Sequence, residues 1–153
     1  MSKHLLLVAH CPSPNTGDLR DAVERGVTEV ADSLQLRSRA PLDAGAVDVL
    51  WADGLIIGTT ENFGAMAGRT KDFFERIYYP CLEAKQGLPV ALYIRAGLDG
   101  AGTERGIEAI FTGLKWKKVL PTAVLKGDWQ AGFVERCREL GMTVAAGLEA
   151  GIY

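Results

Sequence analysis

The sequence predicts an open, doubly wound α/β sheet, with five parallel strands in the order 2-1-3-4-5 and helices on both faces. Three observations carry this prediction. Strand-like runs alternate with runs of helical period from one end of the chain to the other, with no repeat, low-complexity tract or linker between them. The run Gly54-Leu55-Ile56-Ile57-Gly58 is continuously apolar, as a parallel strand covered on both faces must be. The segments after strands one, three and four look least like ordinary connections, and right-handed crossovers bring all three to one edge of the sheet.

Each element follows from its local pattern. Lys3–Ala9 is the first strand. Gly17–Ala31 is the first helix, because Leu19, Val23, Val27 and Val30 recur on one face. Leu34–Arg39 alternates, as a half-exposed edge strand does, and Leu42–Val49 is a short helix entered through Pro41. Gly54–Gly58 is the central strand, and Gly68–Tyr78 is a helix carrying Phe73, Phe74 and Ile77. Pro89–Arg95 is the fourth strand, Thr103–Thr112 the fourth helix and Trp116–Leu125 the fifth strand. Asp128–Ala150 is a long last helix, with Phe133, Cys137, Leu140, Val144 and Leu148 at three- and four-residue spacing.

The bulk properties exclude several functions. A chain of 153 residues suits one domain, spanning 1–153, with a substantial core. Its 48% hydrophobic and 24% charged content is that of a soluble globular protein, and no apolar run approaches the ~18 residues of a membrane span. The segment Met1–Ala9 lacks a long apolar stretch and a cleavage site, so it is expected to be a strand and not a leader. Cys11, Cys81 and Cys137 are odd in number and far apart, which fits reduced thiols and a cytoplasmic location. With only His4 and His10, and no local His/Cys cluster, no metal site is expected. The formal net charge is −2 and the longest basic block is Lys117-Lys118, so neither nucleic acid nor membrane is an expected partner.

The three edge loops hold the chemistry. In the first, Cys11-Pro12-Ser13-Pro14-Asn15-Thr16-Gly17 joins a strand to the positive end of a helix, where amides and hydroxyls converge on an anion. The same Ser13, Asn15 and Thr16 also serve simply to turn the chain and cap the helix. The second loop, from Gly58 to Gly68, offers Thr60, Glu61, Asn62, Phe63, Gly64, Ala65 and Met66: an aromatic, few charges, and glycines that let backbone approach a flat ligand. The third, Arg95–Glu104, contains Ala96, Gly97 and Gly100, and either lines a ligand or allows close approach to the next helix.

The second loop resembles the isoalloxazine-binding loop of flavodoxin-like NAD(P)H:quinone oxidoreductases and NADPH-dependent FMN reductases, Gly-Thr-Pro-x-x-Phe-Gly-x-Met-x-Gly followed by a helix with Phe. It matches at Gly58, Thr59, Phe63, Gly64, Met66, Gly68 and Phe73, and departs at Thr60. The first loop is similar to the flavodoxin phosphate loop at Ser13, Asn15 and Thr16; Cys11 stands where a hydroxyl is usual, and Pro14 replaces glycine. The third is similar at Gly100, Gly102 and Glu104. The resemblance implies a flavodoxin-like three-layer sandwich that binds FMN. Phosphate would sit at Cys11, Ser13, Asn15, Thr16 and Gly17, and the ring against Thr60–Met66, Ala96, Gly97 and Gly100. It also implies a hydride passed from transient NAD(P)H to a quinone-like small-molecule acceptor, no catalytic side chain, and a homo-oligomer, dimer or tetramer. Tyr78 and Tyr79 are expected near the flavin edge. A flavodoxin carrier would be more acidic, and a flavin-free binding module is the third alternative. A tyrosine phosphatase needs Cys-x5-Arg, but the position matching the arginine is Gly17. A receiver domain needs acidic residues where Ala9-His10 and Gly58-Thr59 stand.

Overall fold

The computed structural model describes residues 2–153. Five parallel positions form the main sheet. β1 (His4–Ala9) lies between β2 (Gln35–Arg39) and β3 (Gly54–Asn62), and β3 is followed by β5 (Pro89–Ala96). The fifth position is shared by two short strands, β6 (Lys117–Lys118) and β7 (Ala123–Lys126), both parallel to β5. The order is the predicted 2-1-3-4-5. Trp116–Leu125 is not one continuous strand, because Pro121 has no N–H to give the ladder and interrupts it.

Alternation along β1 separates two cores. Leu5, Leu7 and Ala9 face α1 (Pro14–Val30) and α5 (Gly132–Glu149); Leu6 and Val8 face α2 (Ala46–Trp51), α3 (Gly68–Cys81) and α4 (Ala101–Leu114). The result is three layers, helix on sheet on helix. Cys81 and Cys137 are buried, one in each core. Among the described residues, no helix is long and apolar enough to cross a membrane.

Several boundaries differ from expectation for local reasons. The first helix begins at Pro14, not Gly17: proline at N1 loses no bond, because that N–H has no intrahelical partner. The expected helix Leu42–Val49 is a 3₁₀ turn, Pro41–Asp43, followed by α2, whose first residue Ala46 follows the N-cap Gly45; the Gly45 amide donates to Asp48 Oδ2 at 2.9 Å. α3 runs past Tyr78 through Pro80 to Cys81, with Phe73, Phe74 and Ile77 buried. β3 extends past Gly58, because Thr59 and Thr60 are β-branched, buried, and paired with Ile94 and Arg95.

A polar cluster pins the break between β6 and β7. Lys118 Nζ donates to Glu108 Oε1 at 2.7 Å and Thr122 Oγ1 at 2.8 Å, and reaches Glu104 Oε2 at 3.5 Å. A hydrogen bond from Thr122 is the main cause holding the Glu104 carboxyl below its ordinary range; burial opposes this, and Lys118 adds to it. A depressed carboxylate stabilises the fold above its unfolded titration range, and that contribution is lost as pH falls through the folded value. Lys118→Met is therefore expected to destabilise the fold at neutral pH by about 1 kcal/mol or less, lowering Tm, and to converge with the parent as pH approaches 3. Thermal melts between about pH 3 and pH 7 check this; parallel curves would deny the coupling.

Candidate functional site

The carboxyl ends of β1, β3 and β5 are adjacent, and their loops meet there as topology requires. His10 N donates to Gly58 O at 2.9 Å and carries the pairing into the first loop. Ser13 and Thr16 then form a reciprocal cap. Ser13 Oγ accepts from Thr16 N at 3.2 Å, Thr16 Oγ1 accepts from Ser13 N at 3.0 Å, and the two hydroxyl oxygens stand 2.9 Å apart. Gly17 N donates to Ser13 O at 3.0 Å and Gly17 lies inside α1, so its amide is taken. Asn15 is exposed, and its amide, at the second helical position, has no intrahelical acceptor. The cap reading of this loop is thus realised. It leaves one amide and two hydroxyls at the positive end of a 17-residue helix, the buried Thr16 hydroxyl donating to Ser13 O at 2.9 Å.

Cys11 is half-buried, with Sγ 3.5 Å from Thr16 O. Burial raises its pKa, and Arg20 opposes only in part, so it is a thiol donor and not a nucleophilic thiolate at neutral pH.

The second loop is a tight hairpin. Glu61 pairs with Met66, and Asn62 with Ala65, across β3 and β4 (Ala65–Met66). The turn is Phe63-Gly64, with φ of 52° and 75°. Two consecutive positive φ values suit a two-residue hairpin, but only glycine adopts them freely; Phe63 holds its conformation against its own Cβ. The ring is fully exposed, at 108% of its reference area. Thr60 is nearly buried and its hydroxyl donates to Asn62 Oδ1 at 2.7 Å. Thr59 and the buried Thr70 share a 2.8 Å bond that ties the hairpin base to α3. Met66 turns toward the core and the Gly106 face of α4, away from the loop tips. Gly64 O lies where a side chain on Gly102 would stand, so the hairpin rests directly on the first turn of α4.

Glu61 joins the second loop to the third. Its Oε1 accepts from Leu98 N and its Oε2 from Gly100 N, both at 2.9 Å. Gly100 is left-handed, with φ of 66°, and precedes α4. Gly97 and Leu98 are exposed, Leu98 at 77%. Ala96 is buried, and its carbonyl accepts from Gly127 N and Arg95 Nη1, so it presents nothing to a ligand. Tyr78 and Tyr79 are not near this edge. Tyr78 lies ten residues along α3 from Gly68, about 15 Å by helical rise, with Tyr79 one residue further, and Tyr78 packs over Gly113 at the far end of α4.

A separate cavity of about 890 Å³ opens on the β2 side of the first loop. Of the residues assigned to the site from sequence, only Cys11 lines it; Arg20, Arg39 and Arg69 do so too. Sequence reasoning missed this wall. Its one signal is an arginine, Arg39, ending an edge strand. His10 also lines the cavity, and burial, with Arg69 second, holds its pKa below the ordinary histidine value.

No protein-family model matches the chain. A flavodoxin from Aquifex aeolicus (strain VF5) is 26% identical over 108 residues, which are 71% of this chain and 58% of that protein. The match thus spans little more than half of the relative. Among solved structures, a flavodoxin from the domain Archaea superposes with a TM-score of 0.81 at 15% identity, over 95% of this chain and 99% of that one. A flavodoxin, WrbA-like protein from Agrobacterium tumefaciens gives 0.71 at 19% identity, over 94% and 96%. The fold is flavodoxin-like.

Proposed function

We propose that the chain is an FMN-binding flavoprotein that transfers electrons between NAD(P)H and a quinone-like small molecule. The observation that carries this is Phe63: a large aromatic held in a left-handed turn, wholly in solvent, at the carboxyl edge of a flavodoxin-like sheet. A bare aromatic at such a cost has its use in stacking on a flat partner.

The residues fit the group. The Ser13 and Thr16 hydroxyls and the Asn15 amide suit a phosphate at the positive end of α1. The proline substitutions do not stand in the way, because Pro14 occupies N1. Phe63 and Leu98 offer exposed apolar surface at the tips of the second and third loops. The amides of Leu98 and Gly100 suit the carbonyl-bearing edge of a ring, and the Glu61 carboxylate holds them in the same acceptor geometry. Glu61 therefore keeps both loops at working distance and yields its donors to a ring that enters. The chemistry such a ring supplies is acceptance of a hydride from a nicotinamide and release of the electrons to an acceptor. The chain's own part is to hold, orient and partly dry it, with no side chain acting as acid or base. A homo-oligomer, dimer or tetramer, in which a neighbour closes the open face, and a cytoplasmic setting belong to the same reading.

A second reading, a flavodoxin-type electron carrier, is favoured by the flavodoxin relatives; the formal charge of −2 favours the enzyme. Anaerobic stopped-flow mixing of FMN-loaded protein with NADH and NADPH separates them. Direct bleaching of the flavin band within seconds at millimolar donor is expected. Bleaching only through a partner reductase would establish the carrier. Failure of FMN, riboflavin and FAD all to bind would end both readings.

A further inference from the structure

We propose that the cavity beside the first loop is a second ligand site that binds a phosphorylated nucleotide, with Arg39 and Arg69 on the phosphate and Glu24 and Asp43 on sugar hydroxyls.

The walls come from separate elements. Arg20 and Glu24 lie one turn apart on α1, Arg39 is the last residue of β2, Asp43 ends the 3₁₀ turn, and Arg69 lies in the first turn of α3. Arg20 spends Nε and Nη2 on Asp21, at 3.1 and 3.0 Å. Arg39 has no carboxylate within salt-bridge distance among the described residues, and gives only Nη1, to Ser38 O at 3.0 Å. Arg69 has neither a hydrogen bond nor an ion pair among the described residues. Two guanidiniums free of carboxylates in one concave wall are an anion clamp, because the planar fork matches phosphate oxygens in pairs.

Three further features select a nucleotide over a bare anion. A cavity of about 890 Å³ is many times the size of a phosphate and within the range of small-molecule sites. The two carboxylates would repel an anion but accept from ribose hydroxyls, as acidic residues beside strand ends do in dinucleotide folds. Pro12 and Leu42, the latter 53% exposed, supply apolar surface for a base. With His10 neutral, the lining carries one net positive charge, against −2 for the whole chain.

The cavity shares Cys11 and Pro12 with the first loop but none of the lining of the second and third loops, and the proposal does not depend on the flavin reading. Calorimetric titration of the purified protein, with and without saturating FMN, is made with ADP, 2′,5′-ADP, adenosine and inorganic phosphate. Both nucleotides are expected to bind at least ~10-fold tighter than adenosine or phosphate, because only they engage both halves of the wall. Arg39→Ala and Arg69→Ala are each expected to weaken nucleotide binding about 10-fold or more, with Tm unchanged, since both side chains are exposed. A preference for 2′,5′-ADP marks a ligand with a ribose phosphate; a preference for ADP marks one with a pyrophosphate. Absence of nucleotide binding at millimolar concentration overturns the proposal. So does full competition by FMN, or indifference to both arginine variants. Loss of flavin binding with nucleotide binding retained would sink only the flavin reading.

Discussion

Gly26→Ala is expected to destabilise the protein by roughly 3 kcal/mol, enough to lower Tm by about 6–12 °C in a chain of this size. The reason is the meeting of α1 and α5. A Cβ on Gly26 would overlap the Arg138 carbonyl oxygen, and a Cβ on Gly141 would overlap the Val23 carbonyl oxygen. Each helix thus presses bare backbone against the other's backbone, and no rotamer change relieves an added methyl. The helices must separate, which opens the core formed by Leu19, Val23, Cys137 and Val144 under the sheet. Gly17→Ala is the control. It lies in the same helix, its Cβ would meet nothing within 4 Å, and alanine favours the helix by about 1 kcal/mol. Denaturant unfolding of the two variants decides it: equal stability would mean that the helix pair is not close-packed.

The close-packed helix pair was only half legible. The apolar stripe of the last helix was plain, because Phe133, Cys137, Leu140, Val144 and Leu148 repeat at helical spacing, and all five are buried. That Gly26 and Gly141 face each other was not legible, since an isolated glycine in a helical pattern shows no partner. The same division holds at the site. Local chemistry announces the cap of α1, and the Ser13–Thr16 capping bonds form. The Phe63-Gly64 turn escaped, because Asn62-Phe63-Gly64-Ala65 reads as loop until Glu61 and Met66 are seen to pair across it. Glu61's carboxylate on the Leu98 and Gly100 amides spans 37 and 39 residues, and no local pattern encodes such a bond. The arginine wall assembles from three elements, and its members are individually ordinary surface residues. Tyr78 and Tyr79 depart from the expected edge for the opposite reason: their position along α3 is legible, and the helical rise alone carries them away from it.

Thr16→Ala is expected to weaken FMN by roughly 10–100-fold while leaving riboflavin unchanged, and to cost about 1 kcal/mol of stability with or without ligand. The two effects have separate causes in one atom. Thr16 Oγ1 accepts from Ser13 N at 3.0 Å and donates to Ser13 O at 2.9 Å, so its loss uncaps α1 whatever the loop binds. The hydroxyl also stands beside Ser13 Oγ at the helix terminus, where rotation of either O–H turns a donor toward an anion, and a charge-assisted bond there is the stronger kind. Riboflavin has no phosphate, so its affinity reports the ring end alone. Fluorescence titration of apoprotein with FMN, riboflavin and FAD, alongside thermal melts, separates the terms. A fall in Tm with the FMN-to-riboflavin ratio unchanged would reduce Ser13 and Thr16 to a helix cap and move the phosphate elsewhere. A ratio that collapses in both Thr16→Ala and Ser13→Ala, with comparable affinity for riboflavin throughout, places the phosphate on α1. FAD binding much weaker than FMN would show that a terminal phosphate is what the loop reads, because the FAD phosphate is esterified and brings less charge to the helix terminus.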